Sequence, residues 1–345
     1  MSKLLQQGFT LIELMISLTL GLILVAVVIQ LIISGQINYR IQNAASTVQD
    51  SGVFGLNAVT KSVRLANHGN AGAMNDETLY GGIVLSAQTT TGSGAMTPDG
   101  NLKGLKLGST LIEGDRYISK NAQNDSAVTA YPKSDQLVIV YQAPENMVTC
   151  AGRNIKGPDR SLTALTRGWY VVEKYYIKKI ASGDGADLYC SDALFTAKGE
   201  PVSQTYTVGT ETTKIDTPEV LTVNAPGDAD YGSKDGEMIA QNVEFLRIQL
   251  MVRNADGSSA TMGINDYQGL TLDNDTTTAA PAHRPAVTGI KLGILTRSNE
   301  KVSDVKNTTY QVLDKSLTAP DDRYMRHVYT TVIALRNGGL GDVIQ

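Results

Sequence analysis

From Leu11 to Ile33 the chain is apolar or glycine at every position except Glu13, Ser17, Thr19 and Gln30. The run has the length a bilayer-spanning helix needs. Beyond it the pattern changes from continuous to periodic. Ile37, Ile41, Ala45, Val48, Gly52, Leu56, Val59 and Val63 recur every three or four positions, one stripe on a helix of 3.6 residues per turn. Arg40, Gln42, Asn43, Gln49, Asp50 and Lys61 fall between them on the other face. The first proline is Pro98, so nothing interrupts one predicted helix from Phe9 to about Ala66, roughly 85 Å long at 1.5 Å per residue. Gly52 and Gly55 each cost such a helix about 1 kcal/mol, which predicts a close backbone approach or a bend there. Asn67-His68-Gly69-Asn70-Ala71-Gly72 supplies the stop, with Asn and Gly suited to left-handed caps.

Past the helix the period shortens to two. Residues 73 to 132 are rich in Gly, Ser, Thr and Asn; Thr89 to Gly94 reads as a loop, with short strands near Gly82 to Ala87 and Gly104 to Leu111. Asp135 to Tyr141 is a compact apolar run of strand length. Gly168 to Lys178 sets Trp169, Val171, Glu173, Tyr175 and Ile177 against Tyr170, Val172, Lys174, Tyr176 and Lys178, a strand alternation. Val243 to Arg253 places Leu246, Ile248, Leu250 and Val252 on one face, and Ala286 to Arg297 and Val328 to Arg336 repeat the device. The polar segments 196 to 236 and 254 to 285 are too long for simple hairpins and read as surface loops or small excursions. The expected fold class is α+β, a long N-terminal helix packed on an antiparallel β-sheet head with long loops. The expected organisation is a leader at 1–8, a transmembrane segment at 9–33, its amphipathic continuation at 34–68 and a β-rich head at 69–345.

Composition narrows the function. The 345 residues are 42% apolar, enough for one anchor and a soluble part of ordinary size, and the net charge of −4 comes with no basic run, so nothing asks for nucleic acid. Two cysteines, Cys150 and Cys190, read as one disulfide in an exported head, with two free buried thiols as the alternative. The motifs of hydrolases, P-loops, zinc proteases and C-x-x-C sites are missing, and His68, His283 and His327 stand in distant segments as surface or cap residues. No cofactor is expected. Asp228-Ala229-Asp230 with Asp235, and Asp273-Asn274-Asp275, offer hard oxygens for Ca²⁺ but lack the twelve-residue loop spacing; solvated turns are the plainer account. Trp169, Tyr170, Tyr175 and Tyr176 read as strand core rather than a ligand shelf.

The oddest residue is Glu13. It is the only formal charge between Leu4 and Tyr39, and a carboxylate inside an apolar membrane segment is a functional hypothesis by default. An ordinary secretory signal fits poorly, since Ile32-Ile33-Ser34-Gly35 is a weak cleavage site. Lys3 before the run, Gly8-Phe9 at its border and Glu13 as the fifth residue counted from Phe9 resemble the leader of type IV prepilins. The resemblance implies cleavage by the prepilin peptidase between Gly8 and Phe9, N-methylation of Phe9, and a role for Glu13 in assembly. The chain is longer than a usual major pilin, and Gln30 and Asp50 stand where major pilins commonly carry proline. The strand Val243 to Ile248 and the ending Arg326 to Asn337 are similar to minor pilins of the PilW type, related in turn to J-type pseudopilins of type II secretion. The implied protein binds rather than catalyses. Its partners are other minor pilins, the major pilin, a large tip adhesin and the inner membrane, with the head in the periplasm before assembly and at the pilus tip after it. A J-type pseudopilin and a membrane-anchored periplasmic enzyme or binding protein are the alternatives.

Overall fold

The computed structural model describes residues 10–70, 72–86, 100–102, 105–107, 110–112, 114–126, 128, 131–161, 164–166, 168–180, 185–195, 206–208, 211–213, 236–254, 256–270, 283–302 and 308–336. The expected leader, both acidic clusters, the Thr89 to Gly94 loop and most of 196–236 lie outside them.

One helix, α1, runs unbroken from Leu11 to Val63, 53 residues. It starts on Thr10 and ends three residues short of the expected Ala66, in a turn where Asn67 and Gly69 take φ of 68° and 104°. These are the left-handed positions that Asn and Gly tolerate. The turn is fastened to the head: Asn67 N–H donates to the Val140 carbonyl (3.2 Å), and Gln142 N–H donates to that of His68 (2.9 Å).

Two antiparallel sheets form the head. The first holds β1 (Gly82–Ile83), β2 (Lys120–Asn124), β3 (Ser134–Gln142), β4 (Tyr170–Lys179), β5 (Ala186–Phe195) and β6 (Glu237–Ala240), in the order β1-β3-β4-β5-β6 with β2 also on β3. The second holds β7 (Val243–Arg253), β8 (Ser259–Gly263), β9 (Ala286–Lys301) and β10 (Tyr324–Ala334), in the order β8-β7-β9-β10. The described residues of the segment 254–285 include β8 and a short helix, α2 (Ile264–Gln268). The sheets meet edge to edge through side chains. Ser134 Oγ and Asp135 Oδ2 accept from the Leu246 and Ile248 N–H groups (3.0 and 2.7 Å), where a neighbouring strand would supply carbonyls. Arg247 spans Asp135 and Asp314 (3.2 and 2.6 Å). Burial pushes the Asp135 carboxyl up to about 6 despite that guanidinium.

The main core lies between α1 and the sheets. Leu56, Val59 and Val63 of the helix are buried in one cluster with residues such as Leu188, Ile290 and Ile294, each burial being worth roughly 1.5–3 kcal/mol. Two expectations are corrected. The packed helical face begins at Ala44: Ile37 is exposed and Ile41 half-buried because the head does not reach that far down, and Ala45 is exposed because its neighbour Ala44 is the residue turned to the head there. The strand Tyr170–Lys179 alternates in sequence yet is buried on both faces for most of its length. Its second face is covered by Leu102, Leu105, Ile112, Tyr117 and Ile118, from the stretch that sequence reads as mostly loop. On the second sheet, the hairpin Thr309–Val312 with Lys315–Thr318 covers Phe245 and Leu295 in the same way.

Candidate assembly site

Gly8 and Phe9 lie outside the described residues; the site begins at Thr10. Thr10 caps the helix with extended backbone (φ −76°, ψ 148°). The Glu13 N–H donates to Thr10 Oγ1 (3.4 Å), while Thr10 N–H and its hydroxyl both donate to Glu13 Oε2 (3.1 and 2.9 Å). This reciprocal capping box satisfies donors that a helix start leaves open. Thr-x-x-Glu directly before an apolar run is its sequence signature, so Thr10 was findable from spacing alone. Glu13 in the lone subunit is thus uncovered by the rest of the protein and held in place by its own chain.

Every residue from Leu11 to Arg40 is exposed except the half-buried Gly21. The hydroxyls in the run fold back onto their own helix, Ser17 Oγ donating to the Leu14 carbonyl (3.0 Å) and Thr19 Oγ1 to that of Ile16 (2.9 Å), so neither hydroxyl points outward unpaired. Among the described residues this is one helix long and apolar enough to cross a membrane, and the head covers none of that stretch. Such a surface is stable only under lipid or other apolar helices.

Higher up, the head grips the helix. A Cβ on Gly52 would overlap the Tyr329 ring, and one on Gly55 would stand 3.1 Å from the Ala240 Cβ. Both glycines therefore mark close approaches, as expected, and α1 runs through them as one helix. The Thr296 hydroxyl donates to the Val48 carbonyl (3.3 Å). Beside this contact an open groove of about 410 Å³ runs between α1 and β10, lined by Ala45, Gln49, Val53, Met325, His327 and Tyr329. Cys150 and Cys190 form a disulfide across 40 residues, joining the turn after β3 to the middle of β5.

The remaining candidates resolve into structure. Trp169 and Tyr175 face the main core and Tyr170 the outer one, so the aromatic group is split across a sheet. His68 Nδ1 lies 2.6 Å from the Gln142 carbonyl in the cap turn, His283 lies 2.7 Å from Glu77 Oε2, and His327 packs edge-on against Tyr329. Among the described residues no group of three or more His, Cys, Asp or Glu is placed to hold a metal.

Residues 205–337 match the family described as type IV pilus-assembly protein W, and residues 3–29 match the prokaryotic N-terminal methylation motif. The first match spans β6 and the whole second sheet; the second spans the charge-poor start of the chain and the first part of α1. No curated protein matches the chain. Among solved structures it is similar to the type IV-like pilin TTHA1219 from Thermus thermophilus, with 11% identity over 59% of this chain and 78% of that one. The TM-score of 0.26 is too low for that superposition to carry weight.

Proposed function

We propose, from the premise that this is a minor pilin with a PilW domain behind an N-terminal methylation motif, that it joins other minor pilins in a tip complex that primes pilus assembly. The membrane-anchored start follows from the motif and the apolar helix. In the proposed sequence the peptidase cuts between Gly8 and Phe9, the head waits in the periplasm, and the subunit ends at the pilus tip under a large adhesin. A PilW domain speaks for a structural, non-enzymatic protein.

The observation that carries the reading is the division of α1: one half uncovered and apolar around a single carboxylate, the other half seated in a head. A lone subunit in lipid leaves that carboxylate with Thr10 alone. Beside other pilins, the amino group freed at Phe9 of a neighbour supplies the cation a buried carboxylate needs. That pairing sets the axial register of the incoming helix and displaces the cap contact.

The test is Glu13→Ala expressed at normal level. Processing, insertion and head folding should persist, with loss of cross-links to other pilins and of surface pili; unchanged partner recovery and piliation would reduce Glu13 to a capping residue. An N-terminal mass beginning at methylated Phe9 checks the processing step. Loss of secretion with pili intact on deletion of the gene would favour the J-type pseudopilin instead.

A further inference from the structure

Glu173 sits fully buried on the core face of β4, where an ionised group survives only if its lone pairs are filled. Four donors converge on it. Cys150 N–H and the Tyr141 hydroxyl donate to Oε1 (2.8 and 3.0 Å), the Tyr175 hydroxyl donates to Oε2 (2.7 Å), and the Ser62 hydroxyl on α1 lies in reach of the same carboxyl and stabilises its charge. None of the four carries a formal charge. The facing residue on β5 is Asp192, a like charge paired with Arg153 (2.6 Å). Burial raises the Glu173 carboxyl above the ordinary range, and the donors oppose that rise.

The four donors come from unlike parts of the chain. Tyr175 is on the same strand and Tyr141 on its neighbour, both fixed by ladder bonds. Ser62 belongs to the last turn of the helix. Cys150 belongs to a tight turn in which Gly152 N–H donates to the Thr149 carbonyl (3.0 Å). The Arg153–Asp192 pair and the Cys150–Cys190 bond tie that turn to β5, and Cys190 faces Tyr175, two residues along from Glu173.

We infer that Glu173 is a positioning residue through which formation of the Cys150–Cys190 bond seats the C-terminal end of the long helix. The two thiols lose two protons and two electrons to a disulfide of an oxidising partner protein, which leaves as a dithiol. The new bond holds the turn so that Cys150 N–H fills one lone pair of Glu173. A filled carboxylate stays in the core and keeps its hold on Ser62; one that has lost a donor turns toward water and releases it. The head thereby reports its oxidation to the helix that assembly uses.

The experiment is hydrogen exchange on the full chain in detergent, comparing amides of 56–63 with the slowest amides of 243–253 in the second sheet. Reduction of the native protein with a dithiol, and separately Cys150→Ala with Cys190→Ala, should speed exchange in the helix segment about tenfold relative to the sheet. Glu173→Gln, or the milder Ser62→Ala should the former fail to fold, should give the same rise. In either background, removing the disulfide should add no more than about twofold. Overturning results are helix amides unaffected by reduction, equal loss of protection in both regions, or a full second tenfold in the Glu173→Gln or Ser62→Ala background.

Discussion

The two halves of α1 obey the same backbone geometry and opposite packing rules. From Leu11 to Ile33 no helix residue is buried by the rest of the subunit, and the residues are apolar nearly all round. From Ala44 to Val63 the apolar residues are confined to one face, two glycines sit under head side chains, and Ser62 reaches a buried carboxylate. A continuous apolar pattern means the helix needs a surrounding solvent of lipid or other helices; a periodic one means it brings its own partner. One element thus carries two independent instructions, and a substitution should act on one half without touching the other.

The sharpest way to test that independence is to remove the staple. Replacing Cys150 and Cys190 by Ala should destabilise the head by about 4 kcal/mol for a loop of this size. Urea unfolding would measure it, and the protein should still partition with membranes; loss of membrane association would merge the halves. Next in size are the glycines. Gly52→Ala drives a methyl into Tyr329 and should cost about 1–3 kcal/mol in thermal unfolding. Gly35→Ala meets nothing within 4 Å and should instead strengthen the helix by up to about 1 kcal/mol. Equal effects at the two positions would break the comparison.

The smallest effect concerns acid. Asp322 accepts from Arg326 (2.7 and 2.5 Å) beneath β10. Burial works to raise its carboxyl, but the Arg326 hydrogen bonds and charge hold it below the usual 3.8. A depressed folded value means the contribution is complete above pH 3.8 and is lost as pH falls through the folded value. Head stability should therefore decline more steeply below about pH 4 in the native protein than in Asp322→Asn, while exchange protection in residues 20–33 stays level. An equal slope in the variant would show that the Asp322–Arg326 pair adds nothing to head stability.

What sequence reveals follows the same division. The uncovered half was readable because lipid selects for composition, and Glu13 stood out against it. The covered half was readable in period but not in reach, since Ile37 continues the stripe below the point where the head begins, and at that point Ala44 rather than Ala45 is buried. The strand Val243–Arg253 showed its alternation plainly, although its second face is open only toward the end, at Gln249, Met251 and Arg253. The strand Ala186–Phe195 did not, because Asp187, Cys190, Ser191 and Asp192 interrupt it. Those polar residues are satisfied inside: Asp187 accepts from Asn242 N–H (2.8 Å) and Asp192 binds Arg153. Glu173 fell on the right face with Trp169 and Tyr175, yet its donors come from segments up to 111 positions away, as Ser62 does, and no local pattern announces them. Thr10 was the opposite case, a short-range signal waiting in the spacing.

The disulfide also limits how far this molecule can be drawn out. A subunit pulled between its membrane end and its head surface yields length only by paying out chain, at about 3.4 Å per residue when extended. The residues between Cys150 and Cys190 are shorted by a crossing of 6.1 Å between α-carbons. About 130 Å of contour therefore stays locked while the bond survives. Under tension the head shortens its own leash, and the strand β4 and the first half of β5, which lie inside the closed loop, are shielded from being peeled out end to end.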